Sequence, residues 1–190
     1  MKKFILSFAV VALIFGGMFA CGEQAKWNRE ERQAMRNLLR DYRKMVYLND
    51  LSEAEYMLFT DQVLASVEAD YPVYTTFIEM PGQGDTVEVY VVSTIVSELE
   101  ADAHNMRKIY PYKQLVREGI LPKDLDRQAQ RAFYECFARR VNRVFPTTSA
   151  FFHAVLADTT STSTIEQLQR ACASDLFDWV VEVDEVVVFD

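Results

Sequence analysis

The sequence predicts an all-α fold, a compact domain of about five to six helices following a leader segment. Three observations carry that expectation. Apolar residues recur at three- and four-residue spacing through several long stretches, which lines one face of a helix. Helix-start signatures precede such stretches at Ser52–Glu55, Asp85–Glu88 and Thr164–Gln167. Pro72, Pro81-Gly82, Pro111, Pro122 and Pro146 fall between the periodic stretches and punctuate them.

In chain order, Trp27, Met35, Leu38, Tyr42 and Met45 make the apolar face of a first helix from about Trp27 to Leu48. Arg32, Arg36 and Arg40 form a row at four-residue spacing, with Arg29 and Arg43 beside it. Asn49-Asp50 reads as a turn. Ser52 then caps a helix running to about Ala69, with Tyr56, Phe59, Val63 and Val67 inward, closed by Tyr71-Pro72.

The stretch 74–96 supports two readings. Its β-branched and aromatic content fits a short hairpin around Pro81-Gly82. The capping signature at Asp85–Glu88, and its continuation through Leu99, Ala103 and Met106, favour one long central helix from Thr86 to Lys108. A short helix from Lys113 to Glu118 follows, ending at Gly119. A longer one starts at Pro122 or Lys123, with Phe133, Phe137, Val141 and Phe145 in one row and Arg127, Arg131, Arg139 and Arg143 on another face. Thr147–Ser149 begins a short helix reaching Ala157. After a polar loop at 158–164, a last helix places Ile165, Leu168, Cys172 and Leu176 inward and runs to Trp179. The tail 180–190, VVEVDEVVVFD, is strand-like in composition.

The leader is the most informative stretch for function. Lys2 and Lys3 precede an apolar run from Phe4 to Ala20, and Cys21 follows. This is the layout of a secretory signal. Met18-Phe19-Ala20-Cys21 resembles the lipobox of bacterial lipoproteins of the Bacteroidetes-like type. Ala20 and Cys21 match that pattern; Met18 and Phe19 stand where the family usually has leucine and a small residue. The resemblance implies a signal peptide at 1–20, lipidation of Cys21 (palmitate-bearing) and a tether at 21–26. The remaining length and the lack of a Pro-rich or Gly/Ser-rich tract predict a single helical domain at 27–190. The implied location is the bacterial cell envelope, lipid-anchored and extracytoplasmic, at the outer membrane. Two rivals are cleavage after Ala20-Cys21-Gly22, releasing a soluble chain, and retention of the apolar run as an anchor.

Loss of Lys2 and Lys3 leaves 18 basic against 28 acidic side chains, a net charge of −10. Charge of that sign repels phosphate backbones, so no nucleic-acid partner is expected. The partner that the leader names is the lipid membrane, through Cys21, and the Arg29, Arg32, Arg36, Arg40 and Arg43 stripe is a membrane-proximal candidate. Its alternative is a solvated face paired with acidic neighbours.

Chemistry-bearing motifs are sparse. Cys136 and Cys172 both fall on inward helix faces, where they form either a disulfide or two buried thiols. With only His104 and His153 in the chain, no metal and no cofactor are expected. Glu100 and His104 would share a helix face and pair there, while His153 would pack among Phe151, Phe152 and Val155. Neither a Gly-x-Ser-x-Gly turn nor a phosphate loop occurs. Tyr110, Tyr112, Phe133, Tyr134 and Phe137 gather near Pro111 and Pro122, as core or as the wall of a pocket. The expectation is therefore an interaction or structural module with an envelope protein partner, rather than an enzyme. The alternative is an envelope glycan or peptide hydrolase using two carboxylates.

Overall fold

The structure, a computed structural model, describes residues 26–157 and 161–179. The expected signal segment, Cys21 with most of the expected tether, and the tail 180–190 with its expected strand character all lie outside the described residues. The all-α expectation holds: among the described residues there are eight α-helices, two 3₁₀ segments and no strand. The expected five to six helices become more because proline and glycine breaks divide periodic stretches into shorter pieces.

Helix α1 (Arg29–Leu39) opens on Asn28, whose side chain accepts from the Glu31 amide while Glu31 reaches back. It gives way to a 3₁₀ segment, Arg40–Lys44, so the helix expected to reach Leu48 ends earlier. Tyr47, at φ +83°, redirects the chain there. Ser52 and Glu55 form the anticipated capping box of α2 (Glu53–Asp70). Trp27, 3% exposed, packs edge-on against Tyr74, and its indole N–H donates to the Tyr71 carbonyl at 2.8 Å. That bond ties the chain just before α1 to the end of α2.

No hairpin forms over 74–96. The stretch folds as α3 (Tyr74–Ile78) and α4 (Gln83–Ala101), joined through Gly82 at φ +74°. The decisive pattern is Val87, Val91, Ile95 and Leu99, all buried, with Val89 62% exposed. A strand would put Val87, Val89 and Val91 on one face. The β-branched residues cost a few tenths of a kcal/mol each in a helix, whereas each buried aliphatic side chain contributes ~1.5–3 kcal/mol, so burial wins. The helix begins at Gln83, one turn's width before the expected Thr86, placing Asp85 inside its first turn. It also stops short of Lys108. Asp102 leaves the helical region and caps a 3₁₀ segment, Ala103–Lys108, through the His104 amide at 2.9 Å.

Helix α5 (Tyr112–Arg117) follows Pro111. Helix α6 (Arg127–Val144) starts later than Pro122, because Asp126 supplies its cap through the Ala129 amide. Helix α7 (Thr148–Leu156) is capped by Thr147, and α8 (Ser161–Phe177) begins before Thr164, which therefore does not act as its cap. Of the residues expected inward on α8, Ile165 and Cys172 are buried, while Leu176 is 41% exposed near the helix end.

Helix α4 packs against α2 on one side and α7 on the other. Helix α6 lies against α8, α7 and the second 3₁₀ segment. One hydrophobic core joins them, running from Trp27 and Met35 to Phe133, Phe137, Phe151 and Cys172. Cys136 on α6 and Cys172 on α8 are joined by a disulfide, their Cα atoms 5.9 Å apart. Among the described residues no helix is long and apolar enough to cross a membrane.

Candidate functional site: a groove across α5

Three adjoining clefts run along α5. The first, about 530 Å³, is lined by Asp50, His104, Arg107, Tyr112, Arg127 and Tyr134, among others. It shares Asp50 and Pro111 with a second, about 540 Å³, to which Asn49, Lys108, Tyr110 and Gln114 contribute. The second shares Tyr110, Gln114 and Ile165 with a third, about 400 Å³, bordered by Glu118, Glu166 and Gln169. The shared residues set the three clefts side by side as a segmented groove, with guanidinium groups at one end and carboxylates at the other.

Local structure explains the basic end. A 3₁₀ turn eclipses residues three apart, so His104 and Arg107 project on the same side. Arg127 comes from the first position of α6 and has no partner among the described residues. Arg107 faces Glu55 at 3.8 Å, an exposed and weak pair. His104 meets Tyr134 edge-on, with ring centroids 5.5 Å apart. Burial, then the nearby Arg107 charge, lowers its pKa, which keeps the imidazole uncharged at neutral pH. Its Nδ1 is buried without a hydrogen-bond partner.

Lys108, which lines the second cleft, is fixed by two partners. The Tyr47 hydroxyl donates to Glu98, and the Lys108 ammonium donates to Glu98 at 2.9 Å and to the Tyr47 oxygen at 3.1 Å. Burial, with the Glu98 hydrogen bond second, pushes the Tyr47 phenol far up from its ordinary value, so it remains a proton donor. The walls are fixed as well. Tyr134 donates to the Tyr110 carbonyl at 2.8 Å, and Tyr112 donates to the Pro122 carbonyl at 2.7 Å. Gln130 Nε2 donates to the Leu125 carbonyl at 2.8 Å.

At the acidic end Glu118 accepts from Gln114 Nε2 at 2.8 Å, and Glu166 pairs with Arg170 at 2.7 Å. Gln169, 2% exposed, leaves its Nε2 without a partner. A buried amide donor in that state costs about 1–3 kcal/mol, which a bound acceptor would recover.

The aromatic cluster near Pro111 and Pro122 divides between roles. Phe133 and Phe137 are fully buried core, whereas Tyr110, Tyr112 and Tyr134 face the groove. Sequence reasoning did not single out Asp50, Arg107, Lys108, Gln114, Glu118, Glu166 or Gln169 as members of one site. The three-residue spacing of His104 and Arg107 was the one available signal, and it required knowing that the segment is 3₁₀.

The arginine stripe lies elsewhere, on α1 and the turn after it. Arg32 pairs with Glu68 at 2.7 Å and Arg36 with Asp61 at 2.8 Å. Arg40 donates to Asn37, and Arg43 donates to the Leu51 carbonyl with its guanidinium 4.3 Å from the centre of the Tyr56 ring. Arg29 is exposed. Glu100 and His104 do not share a helix face, because α4 ends between them at Ala101. His153 is exposed on α7, not packed among its aromatic neighbours. Among the described residues no three His, Cys, Asp or Glu side chains are grouped as a metal site would need. Comparison with family models, curated proteins and solved structures gives no match.

Proposed function

We propose that this chain is a lipid-anchored, extracytoplasmic interaction module of a bacterial envelope, tethered at the outer membrane through Cys21, which binds its partner in the groove across α5. The observation that carries the binding role is the groove itself: charged and amide side chains converge on it from five parts of the chain, and partly buried hydrogen bonds hold its walls. A preorganised surface of this kind lowers the ordering cost of binding. The disulfide between Cys136 and Cys172 supports the location, since such bridges persist in oxidising compartments. Within the arginine stripe, Arg32 and Arg36 spend their charge on carboxylates of α2, leaving Arg29 and Arg40 as the groups best placed for anionic headgroups.

Mass spectrometry of the chain purified from membranes tests the anchor. A mature chain beginning at lipidated Cys21 is expected; a soluble chain beginning at Glu23 refutes it. The rival hydrolase reading draws on Glu118 and Glu166, two carboxylates bordering one cleft. It prevails if the purified chain cleaves an envelope glycan or peptide and E118Q or E166Q abolishes that turnover.

A further inference from the structure

We propose that the groove takes an extended peptide, whose carboxylate end lies at Arg107 and Arg127 and whose basic end lies at Glu118 and Glu166. The inference deepens the interaction reading and rests on it, but not on the nature of the anchor.

The charge pattern carries it. Two guanidinium groups and an uncharged imidazole line one end beside the single carboxylate of Asp50, and two carboxylates border the other. Asn49, Gln114 and Lys108, whose charge is paired with Glu98, lie between. Guanidinium groups bind carboxylates through paired N–H donors, and Arg127 brings a fork that nothing else among the described residues occupies. Asp50 lines the same cleft as the two arginines, where it would repel a second acid and accept from an amide N–H of the ligand.

The middle and far parts suit a peptide backbone. A peptide presents alternating N–H and C=O groups. Gln114 lines both the second and third clefts, and Gln169 at the third offers a buried amide donor with no protein partner. Recognition by main-chain hydrogen bonds, with a carboxylate captured separately, is an established way to hold an extended segment. The six residues of α5 rise about 9 Å, so the helix alone underlies roughly three residues of extended chain. The clefts beyond both of its ends lengthen the site to a short peptide. A glycan would rest on broad exposed aromatic faces, whereas Tyr134 is fully buried and Tyr110 and Tyr112 are only partly exposed.

The test uses the full chain, expressed with its own leader, purified in detergent and immobilised. A fully randomised hexapeptide library with acetylated and amidated termini, so that only side chains carry charge, is passed over it, and the retained peptides are sequenced by mass spectrometry. Retained peptides should carry an acidic residue at one end and a basic residue at the other. R127Q should lower retention at least tenfold and erase the acidic preference. E118Q/E166Q should erase the basic preference and keep the acidic one. R139Q, an exposed arginine of α6 outside the groove, should retain the library as the unaltered chain does. All three variants change groups at the surface, so unchanged thermal melts will establish that they fold. Retention without charge polarity overturns the proposal. So does retention by R127Q equal to the unaltered chain, an equal loss in R139Q, or displacement by a neutral hexasaccharide. Any of these leaves the mass of the lipidated chain untouched, so loss of the peptide assignment is distinguishable from loss of the anchored-module reading.

Discussion

Replacing both bridged cysteines by alanine, C136A/C172A, tests whether the disulfide holds the acidic wall of the groove. The bridge closes a loop with a sequence separation of 36 between α6 and α8. In the loop-entropy relation a closure of that length removes close to 13 cal/mol/K from the unfolded chain, or roughly 4 kcal/mol at 25 °C. Cys172 is fully buried and Cys136 7% exposed, so alanine avoids the unsatisfied hydroxyl that serine would introduce. Urea unfolding followed by circular dichroism reads the effect. With a slope near 2 kcal/mol/M, the midpoint should fall by about 2 M. The melting temperature should fall by roughly 8–16 °C. A dithiol reductant should bring the unaltered chain to the same midpoint and leave the double variant unchanged. Since α8 carries Glu166 and Gln169, basic-end preference in the peptide library should weaken before acidic-end preference does. A loss below about 1 kcal/mol, or no response of the unaltered chain to reductant, would refute the reasoning.

Other expectations follow from the buried hydroxyls and the entry to α1. Burial raises the phenol pKa of both Tyr47 and Tyr134 above the unfolded value near 10, so the neutral form is the one the fold stabilises. That stabilisation is complete below pH 10 and is lost as pH rises beyond it, by ~1.4 kcal/mol per pH unit for each phenol. Y47F/Y134F should therefore flatten the alkaline limb of a stability–pH curve while lowering stability at neutral pH. His104 behaves in the opposite sense. Its pKa is lowered, so its contribution is complete above pH 6.5 and is lost as pH falls through its folded midpoint, which NMR titration should place below 6.5. W27A removes a buried indole with its bond to Tyr71 and should cost about 3–5 kcal/mol in denaturant unfolding. R36Q, by contrast, breaks a pair of half-exposed groups and should change stability by less than about 1 kcal/mol.

Much of the fold was legible because helical periodicity is a local property. Tyr56, Phe59, Val63 and Val67 on α2, and Phe133, Phe137 and Val141 on α6, are all buried as their spacing implies. The stretch 74–96 was ambiguous because β-branched residues satisfy strand propensity, while the row Val87, Val91, Ile95 and Leu99 satisfies a helix. Only burial against α2 and α7 decides between them. Helix ends were less legible. Asp85 and Thr164 sit at the first position of a capping signature and yet lie inside their helices, because a helix continues toward its N-terminus wherever packing permits. Long side chains at four-residue spacing gave the arginine stripe, but not the carboxylates of α2 that neutralise part of it.

The groove was the least legible feature. Its members come from separate segments, and none belongs to a motif. Arg107 and Arg127 are twenty positions apart and line one cleft only because the 3₁₀ segment packs against α6. Glu118 and Glu166 border one cleft only because α8 lies beside the α5 turn.

The amino-acid sequence by itself determined the helical class and the inward faces of the main helices, and it supplies the leader on which the proposed lipid anchor rests. Those properties reside in the local spacing and order of residues along the chain. The tertiary structure decided that 74–96 is helical, that Cys136 and Cys172 are within bonding distance, and that charges remote in sequence line the two ends of one groove. Each of those depends on which helix faces meet, and that is set by the summed burial of the whole core.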